Sequence, residues 1–184
     1  INNRDKVTRA VADWSSFELE EAVIDAGGVA AAMRSLAEWG THPQGQLVST
    51  EPLITWSENT GSSANLPVLQ NRLTGLRVLD LTRVLAGPVA TRFLAGFGAS
   101  VLRIDPLDWR EDGLEPELSL GKSCCGLDLR RAAGRAHFEK LLSEAHVLVH
   151  SYRPGALDRL GYDETARRNL NPSLIDVSLS AYGW

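Results

Sequence analysis

Ser151-Tyr152-Arg153-Pro154-Gly155, with Arg159 following, holds the residues best suited to chemistry. An apolar run ends there, a basic loop follows and a short helix opens at once. A planar guanidinium suits phosphate. Tyr152 and Arg153 offer flat faces for an adenine. Leu127-Asp128-Leu129-Arg130 has a similar form. There Asp128 has two readings, a cap for the next helix or an acceptor for ribose or adenine, and Arg130 and Arg131 either meet phosphates or are solvated charges. Val84-Leu85-Ala86-Gly87-Pro88 is the third such junction. Amides at a helix start can hold an anion or a thioester oxygen, although a plain strand–helix turn explains the motif equally well when it stands alone. No dinucleotide fingerprint, P-loop, nucleophile elbow or HExxH motif occurs.

Other reactive residue types are less promising. His42, His137, His146 and His150 have no metal-ligand spacing. His137 and His146 read as surface residues on or beside a helix. His150 lies near the suspected cleft but is not expected to be catalytic. Cys124 and Cys125 are adjacent in an apolar context, a poor arrangement for a disulfide or a zinc site. No metal is expected, and the thiols fit a reducing, cytoplasmic setting.

The elements that position these loops alternate. Val78–Leu81, Val101–Asp105, Ser123–Leu129, Val147–Val149 and Leu174–Leu179 read as strands. Pro88 opens a helix through Phe97, and Ala132–Ala145 is a strong helix with Phe138, Leu141 and Leu142 on one face. Short helices are expected near Pro154–Leu160 and Asp163–Asn169. This order predicts an α/β fold, a Rossmann-like, open and mostly parallel sheet flanked by helices with right-handed crossovers. Ligands of such sheets bind beyond the carboxyl ends of the strands.

Upstream, residues 1–50 read as a helical segment. Val7, Ala10, Val11 and Trp14 share a helix face, and Ser15 to Glu18 fits a capping box. Gly27-Gly28 stops that second helix, and a third is expected over Ala30–Trp39, ending at Gly40. Residues 51–72 read as a linker, with Val48–Trp56 as a possible short strand. The third region is 73–184.

Bulk properties narrow the class. The 184 residues carry a net charge of −4, which gives no reason to expect nucleic acid or an anionic membrane as a partner. No apolar run is long enough to span a bilayer. Only three of the 19 basic residues are lysine. The start at Ile1 and the stop after a strand-like run suggest a fragment, one that needs a partner chain or further sequence for full stability.

Five segments, in order, resemble the opening of class III CoA-transferases of the CaiB/BaiF type. They are Leu73–Pro88, Gly98–Pro106, Gly121–Arg130, Ser151–Gly161 and Asn171–Gly183. The resemblance implies an interlocked homodimer that transfers CoA between carboxylic acids; α-methylacyl-CoA racemases are relatives. It places contacts for coenzyme A, free or as acyl-CoA, at Leu85, Ala86, Leu127, Asp128, Leu129, Arg130, Ser151, Tyr152, Arg153 and Arg159. Leu85 stands where some transferases carry glutamine, and it cannot hydrogen-bond an acyl intermediate. Ser151 stands where asparagine is frequent. The family's nucleophilic aspartate lies beyond the last of these segments, so Asp80, Asp105 and Asp128 are not expected in that role, and this chain alone is expected to be inactive. Trp14, Ala26–Val29 and His42-Pro43-Gln44 resemble, more weakly, the family's helical carboxyl-terminal part, as in a tandem fusion. A racemase-type epimerase and a non-catalytic CoA-binding or dimerisation half are the alternatives.

Overall fold

The computed structural model describes residues 3–58, 67, 72–110 and 113–181. The chain divides into two compact units, residues 1–55 and 56–184.

The first unit is helical. Helix α1 covers Arg4–Val11, and α2 covers Ser16–Asp25 behind the expected capping box: Ser15 Oγ accepts from the Glu18 amide, and Glu18 accepts from the Ser15 amide. The third helix differs from expectation. Residues 30–35 are not helical, and α3 is Leu36–Thr41. A second capping box, Ser35 with Glu38, sets its start. Gly40 does not stop it; His42 does, being held extended by the following proline. Pro43 then opens a further helix, α4 (Pro43–Thr50), since a first-turn proline loses no helical hydrogen bond. The strand expected over Val48–Trp56 is therefore absent: Val48–Thr50 are helical, and residues 51–56 form no strand. Most of the expected linker, 59–66 and 68–71, lies outside the described residues.

The second unit is a five-stranded, wholly parallel sheet in the order β3-β2-β1-β4-β5. The strands are β1 (Arg77–Leu81), β2 (Ser100–Asp105), β3 (Ser123–Gly126), β4 (Val147–His150) and β5 (Ile175–Ser178). The third and fifth are shorter than the sequence suggested. Helices α5 (Ala86–Gly96), α6 (Glu115–Leu118), α7 (Ala132–Glu144), α8 (Ala156–Arg159) and α9 (Glu164–Leu170) alternate with them. Helix α6 has no counterpart among the helices expected from the sequence.

Two apolar layers sandwich the sheet. On one side Leu79, Leu81, Ile104 and Leu148 pack with Phe138 and Leu142 of α7. On the other, Val78, Val101, Val147 and Val149 meet Leu94 and Ala95 of α5. Every residue of β4 is buried, as expected for a strand covered on both faces. Phe138 is fully buried, and truncating such a ring costs about 3–5 kcal/mol.

His146 is a correction. It is buried just ahead of β4, and its Nδ1 accepts the Arg77 amide at 2.9 Å. The ring satisfies the first amide of β1 instead of facing solvent.

Candidate functional site

Strand order reverses between β1 and β4, which lie side by side but lead to connections running in opposite directions. Crevices form at the carboxyl ends of strands at such a point. The turn after β1 and the loop after β4 meet there: the Arg83 amide donates to Ser151 Oγ at 3.2 Å. The Arg83 guanidinium lies 4.0 Å from the Trp109 ring and 5.5 Å from that of Tyr152. One arginine thus ties together the segments that follow β1, β2 and β4.

The ten expected residues all follow carboxyl ends of strands. Leu85 and Ala86 are exposed at the start of α5. Ser151 is half-buried and committed to Arg83. Tyr152 packs partly against the core, and burial pushes its phenol pKa up. Arg153 and Arg159 are exposed. Leu127 to Arg130 follow β3, two strands from β1 and so about 10 Å away at ordinary strand spacing. The ten residues therefore form two groups along one edge, and only an elongated ligand could touch both. Leu129 packs its side chain into the core, leaving its backbone for any ligand.

Asp128 does not cap α7; Arg131 is at the N-cap position without a side-chain cap. Instead Asp128 Oδ1 accepts from the amide and Nε of Arg130. These bonds, with the Arg130 and Arg131 charges, hold its pKa below the usual aspartate value. Asp80 and Asp105 are engaged too. Asp105 pairs with Arg103 at 2.7 Å. Asp80 Oδ2 lies 2.8 Å from Lys122 Nζ, and both side chains are fully buried.

His150 closes β4 and is buried. Burial pushes its pKa down, against the pull of Asp176 at 3.6 Å. Burial also raises the Cys125 thiol, with Cys124 and Asp105 adding to the effect, so it is no ready thiolate. A shallow cleft of about 200 Å³ beside β2 and β3 is lined by Arg103, Asp105, Trp109 and both cysteines.

Sequence reasoning missed Arg83, Trp109 and the Asp80–Lys122 pair. Arg83 had a usable signal, a guanidinium two residues past a buried strand. Trp109 had a weaker one, an indole soon after β2. Lys122 had none, because its partner lies 42 residues away.

The model of CoA-transferase family III matches residues 73–184. Among curated proteins, an acetyl-coenzyme A transferase of Hypoxylon pulicicidum is 38% identical, over 74% of this chain and 23% of its own length. An acetyl-CoA:oxalate CoA-transferase of Acetobacter aceti is 34% identical, over 59% of this chain and 31% of its own. The chain thus spans about a quarter to a third of these relatives. A solved structure of a CaiB/BaiF family protein from Brucella suis is also similar, with a TM-score of 0.53 and 31% identity. That likeness covers 59% of this chain and 33% of the other.

Proposed function

This chain belongs to CoA-transferase family III, and we propose that its β1/β4 crevice is the CoA-binding part of an enzyme moving CoA between carboxylic acids. The observation that carries the reading is a coincidence of place. The family match spans the parallel sheet, and Arg83, Tyr152, Arg153 and Arg159 gather where such sheets bind ligands. Tyr152 and Arg153 present faces to adenine; Arg159 and Arg153 meet phosphate oxygens. Asp128 and Arg130 lie along the same edge for the ribose or phosphate end. The turn at Leu85 and Ala86 receives the thioester.

In the complete enzyme a carboxylate attacks the thioester carbonyl and expels CoA as its thiolate, leaving a mixed anhydride. The thiolate returns to the enzyme's acyl carbon, releases the first acid and leaves an enzyme thioester. The acceptor carboxylate attacks that thioester and expels CoA again, which gives a second mixed anhydride. The thiolate then attacks the acceptor's acyl carbon, forming the new acyl-CoA and releasing the enzyme carboxylate. The difficult exchange is divided into easier covalent steps. Asp80, Asp105 and Asp128 are each held by a basic side chain, so the nucleophile is sought outside them. The residues described here hold and orient CoA. An interlocked dimer and a cytoplasmic setting complete the reading.

Calorimetric titration with CoA tests it, using wild type and the double variant Arg153→Ala, Arg159→Ala. Saturable binding that weakens at least about tenfold in the variant is expected, as for the loss of charge-assisted hydrogen bonds. A folded wild type that binds no CoA would overturn the reading.

A further inference from the structure

The turn joining β1 to α5 is both strained and exposed. Val84 has a φ of 68°, a left-handed backbone that a β-branched residue rarely adopts. Val84 is 62% exposed and Leu85 58%. A conformation of this kind persists only where its surroundings over-determine it.

One buried cluster fastens both ends of that turn. On the entering side, Asp80 Oδ1 accepts the Thr82 amide at 3.0 Å and Thr82 Oγ1 at 2.5 Å. On the leaving side, Asp80 Oδ2 accepts Thr91 Oγ1 at 2.5 Å and Lys122 Nζ at 2.8 Å. Lys122 Nζ also donates to the Pro88 carbonyl at 2.9 Å and to Thr91 Oγ1 at 2.7 Å. Its three protons therefore have three acceptors. Thr82, Thr91 and Asp80 are at most 1% exposed. Gly87 closes the arrangement from above, since a Cβ there would lie 2.4 Å from that of Thr82.

We propose that Asp80, Thr82, Thr91 and Lys122 are positioning residues. They hold Arg83 and the strained Val84–Ala86 turn in the shape that receives CoA. None of the four touches the ligand. The inference rests on the CoA reading for what the turn receives; that the cluster holds the turn stands independently of it.

Thr82→Val removes one hydroxyl of the cluster and keeps the β-branched shape; Thr82→Ser restores the hydroxyl. Amide exchange at Arg83, followed by NMR in the free chain, reports the turn; thermal melting reports the fold; CoA titration reports the site. Thr82→Val is expected to speed Arg83 exchange and weaken CoA binding, each about tenfold, the loss of one hydrogen bond to a charged acceptor. The melting temperature should stay within a few degrees, and Thr82→Ser should recover both effects. Thr91→Val should act in the same direction. If Arg83 exchange stays at the wild-type rate, or rises only in step with global unfolding, the proposal fails. It also fails if the turn loosens while CoA affinity is unchanged. A wild type that binds no CoA sinks the CoA reading, and the exchange data alone then decide whether the cluster holds the turn.

Discussion

The turns after β1 and β3 use one local device with opposite surroundings. In each, an aspartate at the strand's end accepts the amide two residues on, Asp80 from Thr82 and Asp128 from Arg130. Each aspartate also faces a cation. Around Asp80 the cation is Lys122, buried with it and saturated with acceptors. Around Asp128 the cations are Arg130 and Arg131, whose side chains are 75% and 78% exposed. Sequence spacing makes the two alike; burial makes the first a rigid part of the fold and the second a charged, adaptable surface.

The largest expected effect tests that difference directly. Lys122→Met leaves a buried carboxylate without its cation and should destabilise the chain by about 3–5 kcal/mol, measured by urea unfolding. Adding Asp80→Asn should recover a large part of that loss. If the single variant matches wild type, the pair contributes nothing and the comparison collapses.

A smaller effect concerns pH near the first region. His150 faces Asp176, Arg167 and Asp158, and burial holds its folded pKa below 6.5. The unfolded chain therefore takes up the proton first as pH falls. Stability from this residue is full above pH 6.5 and is lost as pH drops from there through the lowered folded value. Unfolding midpoints between pH 8 and 5 should show the decline, and His150→Gln should flatten it. A rise in stability on acidification, absent in that variant, would reverse the assignment.

The smallest effect belongs to the exposed turn. Arg130→Ala with Arg131→Ala should leave the unfolding midpoint unchanged, because surface pairs contribute little. It should still weaken CoA binding in a salt-dependent way. A clear loss of stability would show the two turns to be more alike than their burial suggests.

Much of this was legible in the sequence because it is local. Ser15 with Glu18, the period of α7 and the apolar runs of β1, β2 and β4 all act within a few residues. The misses have physical reasons. Ser35 with Glu38 is an equally plain capping box, but an alanine-rich run drew the helix start too early. Helix α4 was not singled out, although a proline in the first turn is a helix-start signal. His146 was placed on the surface because nothing nearby announces that a β1 amide needs its ring. At the site, the loops were legible from strand ends, whereas the Arg83–Trp109 contact and the Asp80–Lys122 pair join residues that only the folded sheet brings together.

The strand order also has a kinetic consequence. β1 is first in sequence yet central in the sheet, and its second neighbour arrives late, when Val78 meets Val147. A nascent chain halted before β4 would expose one edge of β1, a strand whose last four residues are apolar or destined for burial. Parallel pairings over such separations are slow and prone to aggregation on the way. Refolding yield should therefore fall with concentration more steeply for chains truncated ahead of Val147 than for the whole chain.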